Sequence, residues 1–432
     1  MILGLSILVG LHELGHLLTA KMFGMRVEQY SIGFPPRIFK INYGETVYSI
    51  GAIPIGGYVK IAGMIDESLD HKAMSEIPEP WEFRSKPAWQ RLIVMMGGIV
   101  VNVLTGIVIF VIIVSCVGDS YTPKSEVNKY GIVAFDIAEE IGLRTGDKIL
   151  MINGHDYQKF EDLISPGELL KKNAFYTVLR EGDILKIPVP ANLVEKLYPP
   201  EGNQLSRFIS PNGSMLIGEV AEGSDAERAG LKEGDRIISI NGKPTGYLDQ
   251  FNEVLENVRG QTVKAVVTRD HQSISLNLSI PEINNIGFRI ILQLQYHQTD
   301  YSFLQAIPIG TKEAFSSIIL TARSLGKIIK GDLDFSKSIS GPIGIARFFG
   351  SQWDWLKFWK LVGFLSMILA FMNFLPIPAL DGGHVMFLSF EIISGHKPSE
   401  KLMQMAQKIG MLLLLSLMIF VIMNDLINLK NS

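Results

Sequence analysis

The stretch ILGLSILVGLHELGHLL (residues 2–18) places three polar side chains, His12, Glu13 and His16, inside an otherwise apolar run. Two histidines four residues apart lie one turn apart on the same face of a helix, so both imidazoles can reach one metal ion. The glutamate beside the first histidine is placed to take a proton from a water that the metal activates. Because polar side chains are costly in an apolar segment, they are usually functional there. The alternative is two histidines that are hydrogen-bonded within an ordinary core.

The composition favours a membrane protein built from several units. A chain of 432 residues is too long for one ordinary core, and 47% of its residues are hydrophobic while only 19% are charged. The net charge of −3 gives no reason to expect a nucleic-acid partner. Cys116 is the only cysteine, so any zinc must be bound by histidine and carboxylate. Residues 2–20 lack a preceding basic segment, which favours a retained membrane helix over a cleaved signal peptide.

Four apolar segments predict membrane-spanning helices, at residues 2–20, 92–116, 361–375 and 405–426. Eight Lys and Arg residues from Lys21 to Lys86 predict that the loop after the first helix is cytoplasmic, so both termini and the long insert before the third helix face the outer side. In the second segment, Gly98, Asn102 and Gly106 form a small or polar stripe at which another helix can approach closely. Asn102 could orient the metal site, but helix packing explains it about as well.

Residues 28–63 are predicted to be β structure, with strands at residues 37–41, 46–50 and 58–63 separated by turns. This apolar segment follows the metal helix directly, and β structure at membrane depth is tolerated only where protein or a water-filled cavity covers it. We therefore predict a re-entrant, membrane-associated β-hairpin sheet beside the active site. The alternative is a plain cytoplasmic hairpin. Residues 64–90 are predicted to form a cytoplasmic loop.

The insert between the second and third spans contains an internal repeat. AEEIGLRTGDKILMING (residues 138–154) and AERAGLKEGDRIISING (residues 226–242) are identical at ten of seventeen positions. Each copy has a short helix ending at glycine, a Gly-Asp turn, a β-rich run and an Asn-Gly hairpin turn. The pattern resembles the PDZ domain in its bacterial, circularly permuted form, which implies α+β domains that bind extended peptides or C-termini. By position, residues 130–133 and 214–218 would be the binding loops, although either copy could act only as a steric module.

The last third of the chain contains the candidate third zinc ligand. Residues 311–330 predict an amphipathic helix on the membrane or against the bundle, and residues 340–346 predict a turn-rich linker. NFLPIPALDGGH (residues 373–384) breaks the third span at depth, since its prolines cannot continue a helix. Asp381 is costly there unless it binds a cation, so it is the candidate ligand, with His384 as the competing candidate.

HELGH in the first helix, N-x-x-P-x-P-x-L-D-G-G (residues 373–383) and the PDZ-like repeats between them resemble the site-2 protease family of intramembrane zinc metalloproteases. The resemblance covers essentially the whole chain, including AIPIGGYVK (residues 52–60). It implies one Zn²⁺ bound by His12, His16 and Asp381, with Glu13 as the catalytic base. The residues expected to hold substrate are Asn373, Pro376, Pro378, Gly56, Gly57 and Tyr58.

The predicted organisation is a four-helix membrane protein with two inserted PDZ domains. Its segments are transmembrane helix 1 with HExxH (1–27), the re-entrant β-hairpin sheet (28–63), a cytoplasmic loop (64–90), transmembrane helix 2 (91–117), PDZ domain 1 (118–203), PDZ domain 2 (204–283), the amphipathic helix and linker (284–352), transmembrane helix 3 with NxxPxPxLDGG (353–394), and transmembrane helix 4 with the C-terminus (395–432).

The resemblance further implies a protease of the bacterial inner membrane that cuts a single-pass membrane protein. The substrate would be a pre-cleaved anti-sigma factor in envelope stress signalling, or a remnant signal peptide. The termini and the PDZ domains would be periplasmic and the active site would lie toward the cytoplasmic side. We expect the PDZ pair to exclude substrates with bulky outer domains. Two other functions compete: a non-enzymatic membrane scaffold whose PDZ modules collect partners, and a zinc transporter, which would need a polar path across several helices.

Overall fold

The computed structural model of the chain describes residues 1–64, 78–190, 192–197, 207–282, 287–338, 341–350 and 353–431. They form two compact units. Met1–Gly118 and Asp300–Ser432 belong to the first, which we call the membrane unit, and Asp119–Pro199 and Gln204–Thr299 form the second, which we call the insert unit. Residues 65–77 of the predicted cytoplasmic loop and the predicted boundary between the repeats at residues 203–204 lie outside the described residues.

The membrane unit begins with a helix, a long hairpin and a second helix. These are α1 (Ile2–Met22), β1 (Val27–Tyr43), β2 (Thr46–Ile61) and α2 (Ala88–Val117). The two strands are bent so that each pairs along two stretches, and Tyr30, for example, pairs with both Tyr48 and Val59. The hairpin therefore forms a sheet of four antiparallel stretches in the order 37–43, 46–51, 27–32 and 57–61.

The prediction of three short strands was wrong in one respect, because it omitted the stretch 27–32. Burial alternates along this stretch as it does in a half-buried strand. Its buried positions, however, include Gln29, which is 8% exposed, and Ser31, which is 1% exposed. Polar residues on the buried face remove the alternation of apolar and polar residues by which a strand is recognised.

The insert unit contains two copies of one arrangement. The elements of the first copy and the strand before it are β3 (Asp119–Tyr121), α3 (Lys124–Tyr130), β4 (Ile132–Ala134), α4 (Asp136–Glu140), β5 (Lys148–Ile152), α5 (Phe160–Ile164), α6 (Pro166–Leu169), β6 (Phe175–Arg180), β7 (Asp183–Pro188), α7 (Leu193–Leu197) and β8 (Ile209–Pro211). Those of the second copy and the strand after it are β9 (Ser214–Val220), α8 (Asp225–Arg228), β10 (Arg236–Ile240), β11 (Lys243–Pro244), α9 (Leu248–Asn257), β12 (Thr262–Arg269), β13 (Gln272–Ser279), β14 (Phe288–Gln293) and β15 (His297–Thr299).

The two copies share their strand pairing. The sheet β5-β6-β7 corresponds to β10-β12-β13, and the pair β4-β8 corresponds to β9-β14. In each copy the last strand returns to pair with the first. Strand β8 therefore belongs to the first copy although it follows residue 203, and β14 belongs to the second although it follows residue 283, so both predicted ends were too early.

The same buried ion pair holds the Gly-Asp turn in both copies. Asp147 is 1% exposed and accepts two hydrogen bonds of 2.7 Å from Arg180, and Asp235 is 0% exposed and accepts two of 2.7 Å from Arg269. Each guanidinium also donates to the carbonyl of the glycine that follows the preceding short helix. Because a buried carboxylate must be paired and hydrogen-bonded, this network explains why the aspartate recurs in the repeat.

The predicted peptide-binding loops were wrong. Residues 214–218 belong to β9, and residues 130–133 include the start of β4. Both strands are hydrogen-bonded on both edges: opposite β14, Ile217 bonds to the backbone at Gly234, and opposite β8, Ile132 bonds to the backbone at Gly146. A strand whose two edges are both occupied cannot accept an added peptide strand.

The membrane unit continues after the insert with α10 (Phe303–Lys330), α11 (Phe335–Ser338), α12 (Pro342–Phe349), α13 (Trp355–Phe374), α14 (Asp381–Ser394) and α15 (Glu400–Asn431). Helix α10 begins earlier than residue 311, because Ser302 forms a capping box with Gln305 and the helix continues through Pro308. Its buried residues are small, and Ala306 and Gly310 lie against α2. The helix therefore packs against the bundle.

The predicted linker at residues 340–346 was wrong over most of its length, because Pro342–Phe349 form α12. Asp425 of α15 is 6% exposed and accepts hydrogen bonds of 2.9 to 3.0 Å from the backbone N–H groups of Gly341, Ile343 and Gly344. The unpaired N–H groups of a helix start and its positive dipole are thus satisfied by a carboxylate distant in the sequence.

Four helices of the described part of the chain are long and apolar enough to cross a membrane: α1, α2, α13 and residues 401–427 of α15. They coincide with the four predicted spans. The range predicted as transmembrane helix 3, residues 353–394, contains two helices, since the chain turns after α13 and resumes as α14. The predicted class, a multi-pass membrane protein, is confirmed.

Candidate metal centre

The candidate metal centre lies where α1 and α2 touch through glycines. A Cβ atom on Gly15 would lie 2.3 Å from the carbonyl oxygen of Gly97, and a Cβ atom on Gly98 would lie 2.5 Å from His16 Nε2. Side chains at these positions would force the helices apart, since ordinary carbon contacts need about 3.5 Å or more. Helix α2 therefore lies directly against the two histidine rings of α1.

Three side chains direct their donor atoms at one place. His12 Nε2 and His16 Nε2 are 3.3 Å apart, and Asp381 Oδ2 lies 3.1 Å from the first and 3.3 Å from the second. Tetrahedral ligands at zinc distances of about 2.0–2.1 Å are about 3.4 Å from one another, so this spacing fits a zinc ion. Asp381 Oδ2 is buried and makes no hydrogen bond of good geometry, and its two close polar neighbours are these ring nitrogens, which is the arrangement expected where a cation joins the three.

His384 was the competing ligand candidate. Among the described residues, the His, Cys, Asp and Glu side chains whose donor atoms lie close enough to share one metal ion are His12, His16 and Asp381, and His384 is not one of them. His384 lines the same cavity one turn further along α14. The donor geometry therefore favours the carboxylate over this third imidazole.

Asp381 reaches the histidines because the chain reverses between α13 and α14. Ala379 in the connecting turn has a φ of +85°, a conformation that is rare for alanine. A Cβ atom on Gly382 would lie 2.1 Å from a carbonyl oxygen of the turn, so the start of α14 is pressed against it. Asp381 is the first residue of α14, where the helix dipole favours a carboxylate. Further along α14, Glu391 pairs at 2.5 Å with Arg91 of α2, which fixes the helix to the bundle.

A cavity of about 620 Å³ opens onto the donor atoms. Glu13 lines it beside the two histidines, and the sheet stretch 57–61 lines it from the other side. A Cβ atom on Gly57 would lie only 3.5 Å from Glu13 Cγ, so this edge of the sheet faces the candidate base closely. Gln407 of α15 also lines the cavity. The cavity is thus bounded by both the sheet and the helices.

The residues expected to hold substrate fall into two groups. Gly57 and Tyr58 line the cavity, and the amide nitrogen of Asn373 lies 3.4 Å from His12 Nε2. The residues that do not line this cavity in the described structure are Gly56, Pro376 and Pro378. The prolines instead shape the turn that presents Asp381.

Two contacts to the histidine rings come from α2. His16 Nδ1 lies 2.8 Å from the carbonyl oxygen of Val94, and His12 Nδ1 lies 3.1 Å from the amide nitrogen of Asn102. Sequence reasoning left Asn102 undecided, and its polarity within an apolar helix was the one available signal. Val94 acts through its backbone, so its side chain carries no signal at all.

Comparison with known proteins agrees with this geometry. The profile described as "Peptidase family M50" matches residues 1–417. The chain belongs to peptidase family M50. The "Regulator of sigma E protease" of Haemophilus influenzae is 28% identical to this M50 chain over 454 aligned positions, which cover 99% of the chain and 98% of the relative. The "Regulator of sigma-E protease RseP" of Escherichia coli K12 is 29% identical over 452 positions, covering 98% and 97%.

A third relative carries the metal in its name. The "Putative zinc metalloprotease" of Borreliella burgdorferi is 29% identical over 441 positions, which cover 100% of the M50 chain and 98% of the relative. The protein is accordingly a zinc metalloprotease, and the resemblance to the site-2 protease family is confirmed. Zinc is its cofactor.

We expect Gly98→Ala to weaken zinc binding by about tenfold or more, because the new methyl group would displace the ring of His16 from the donor geometry. The measurement is a competition titration of the purified enzyme against a chelator. Gly326→Ala is the matched control, since Gly326 is also helical and a Cβ atom there would meet nothing within 4 Å. Wild-type zinc affinity in Gly98→Ala would show that α2 does not confine the histidines.

Proposed function

We propose that the chain hydrolyses a peptide bond in or near the transmembrane segment of a single-pass membrane protein. Zinc would be held by His12, His16 and Asp381, and Glu13 would serve as general base. The observation that carries the proposal is the donor group itself, which lies at zinc spacing and comes from two helices of the membrane unit. Because two of the three donors lie on α1, a candidate membrane span, the reaction would take place at membrane depth.

Each group at the cavity would have its own role in peptide hydrolysis. Zinc at the three donors supplies a Lewis acid that makes water acidic enough to act as a nucleophile near neutral pH. Glu13 takes the proton from the attacking water and passes it to the leaving amine. The amide of Asn373, beside His12, is placed to donate a hydrogen bond to the carbonyl oxygen of the scissile peptide. The closed packing of α1 on α2 excludes bulk water on the side away from the cavity.

The sheet gives the substrate backbone a partner. A transmembrane helix must unwind before its peptide bonds can be attacked, and the freed N–H and C=O groups need hydrogen bonds in an apolar site. The stretch 57–61 is an edge of the sheet and lines the cavity, so the unwound segment would add to it as a strand. The opposite edge, 37–43, exposes Ile38, Phe39 and Ile41, as expected for a hairpin that re-enters the membrane.

The two copies in the insert unit would be PDZ domains. Each combines a sheet and short helices with a last strand that returns to the first, and this shared arrangement supports the proposal. In the described structure β8 and β14 each have one strand partner, so their second edges are the places for an added peptide. These edges replace the loops assigned from the sequence.

The names of two of these relatives, which are regulators of sigma E, support a proposal for the substrate class. We propose an anti-sigma-factor-like protein that has already been cut outside the membrane, with remnant signal peptides as a second class. The enzyme would lie in the bacterial inner membrane with its termini and the PDZ pair in the periplasm, and its active site toward the cytoplasm. The PDZ pair would act as a size filter that admits the trimmed substrate and excludes the intact one.

A non-enzymatic PDZ scaffold is the alternative. It would leave the metal donors and Glu13 without a role, whereas the protease uses each of them. A zinc transporter would need a polar path through the bundle, and the middle parts of α2 and α15, residues 92–114 and 409–423, have Asn102, Thr105 and Ser416 as their only polar side chains.

We expect Glu13→Gln to lower turnover of a model single-pass substrate by about 10²–10⁴-fold while zinc stays bound, because the amide cannot accept the proton. Turnover is measured with purified enzyme, and metal content is measured on the same sample. His12→Ala is the comparison, since it should lose both zinc and turnover. Undiminished cleavage by Glu13→Gln, or cleavage by wild type after complete zinc removal, would refute the mechanism.

We expect a photo-reactive amino acid at position 60 to cross-link to the transmembrane segment of a bound substrate, because Lys60 lines the cavity on the inner sheet edge. The same group at position 40 should not, since Lys40 lies on the opposite edge. A Glu13→Gln background keeps the substrate uncut during the experiment. Equal cross-linking at both positions would contradict strand addition at the stretch 57–61.

We expect an enzyme in which residues 119–299 are replaced by a short linker to cut intact substrate as fast as trimmed substrate. The replacement is feasible because Val114 near the end of α2 and Ala306 near the start of α10 belong to one apolar cluster. Initial rates on the two substrates are compared with those of the full chain, and the same deletion with Glu13→Gln controls for other proteases. Intact substrate that is still spared would end the filter hypothesis.

A further inference from the structure

Helix α2 presents three positions to the histidines of α1 at intervals of four residues. Val94 contacts His16, Gly98 lies against both rings, and Asn102 contacts His12. Residues at this spacing share one face of a helix. Along this face Val94 and Asn102 meet the Nδ1 atoms, which do not point at Asp381, whereas Gly98 lies between the two rings, closest to His16 Nε2.

The contact between Val94 and His16 fixes the tautomer of the histidine ring. His16 Nδ1 lies 2.8 Å from the carbonyl oxygen of Val94, which can only accept a hydrogen bond. Nδ1 therefore carries the proton and donates it, and Nε2 keeps the lone pair that faces Asp381 and the metal. The hydrogen bond selects the tautomer that a metal ligand needs.

The contact between Asn102 and His12 does not yet form a hydrogen bond that suits a metal-bound histidine. The Asn102 amide nitrogen lies 3.1 Å from His12 Nδ1, and Asn102 Oδ1 is buried with no hydrogen-bond partner in the described structure. A histidine that binds metal through Nε2 must carry its proton on Nδ1, and an amide nitrogen is a donor too. Two donors cannot bond to each other. A rotation of the Asn102 amide by 180° exchanges its oxygen and nitrogen and leaves the shape of the side chain unchanged. Asn102 Oδ1 then accepts a hydrogen bond from the Nδ1–H of His12.

We propose that Asn102 is a positioning residue of the zinc site, whose Oδ1 accepts the Nδ1 proton of His12 and holds Nε2 toward the metal. The inference rests on the proposed zinc ligation by His12. Helix packing does not explain the residue, because packing alone would leave a buried amide oxygen unsatisfied where leucine fills a similar volume.

The backbone of Asn102 is fixed independently of its side chain. Ser366 of α13 donates a hydrogen bond of 2.8 Å to the carbonyl oxygen of Asn102, and both residues are 0% exposed. This bond ties α2 to α13 at the same residue without involving the amide. Ser366→Ala therefore disturbs the same place in the bundle and leaves the contact to His12 intact, which makes it a matched control.

The test compares three variants of the full-length chain in detergent: Asn102→Leu, Asn102→Asp and Ser366→Ala. Each is stripped of metal, its zinc affinity is measured by chelator competition, and its thermal unfolding is measured without and with zinc. We expect Asn102→Leu to bind zinc about 10–100-fold more weakly, as when a metal-bound histidine loses its hydrogen-bond partner. Asn102→Asp keeps an acceptor and should bind at least as tightly as wild type.

The outcomes separate positioning from packing. Ser366→Ala should lower the unfolding temperature of the metal-free protein and keep wild-type zinc affinity. If Asn102→Leu also keeps wild-type affinity, or if Asn102→Asp binds as weakly as Asn102→Leu, Asn102 does not act as the acceptor and the inference is overturned. Failure of the proposed zinc site itself would look different, because wild type and His12→Ala would then bind zinc equally.

Discussion

The site depends on one close approach, the contact between the backbones of α1 and α2 at Gly15 and Gly97. At this crossing the space that a single methyl group needs is already filled by peptide atoms of the other helix. Only this closeness brings the Val94 carbonyl within hydrogen-bond distance of His16. A pair of helices at the ordinary separation of 8–10 Å would leave the outer nitrogens of the imidazoles without partners from α2. Backbone contact thus sets the orientation of the side chains.

The candidate ligands can be found in the sequence because polar residues are rare at membrane depth. HELGH defines two donors by helical spacing, and Asp381 stands out as an acidic residue in a broken apolar helix, where a carboxylate needs a cation. The four spans could be predicted as well, since long and mostly apolar segments of this kind are typical of membrane-spanning helices. The repeat was visible because its Gly-Asp turn is maintained by a buried ion pair in both copies.

The features that could not be predicted from the sequence are those that depend on contacts with residues distant along the chain. Residues 340–346 were predicted to be a linker because they contain proline and glycine, yet residues 342–349 form a helix whose first N–H groups donate hydrogen bonds to Asp425. The strand stretch 27–32 buries Gln29 and Ser31, so its pattern looks polar. The role of Asn102 could not be decided because its partner is His12 on another helix. In each case tertiary contacts override local preference.

The candidate ligands are also synthesised at widely separated times. The two histidines belong to α1, and Asp381 follows the sheet, α2 and the entire insert unit. During synthesis the histidine pair therefore enters the membrane long before its carboxylate exists, and two imidazoles alone are fewer than the three protein ligands of a catalytic zinc site. A chain that stalls or is degraded before α14 has no complete site. With zinc held as proposed by these three residues, the protease would become active only after its own insertion is nearly finished, which would protect the proteins inserted beside it.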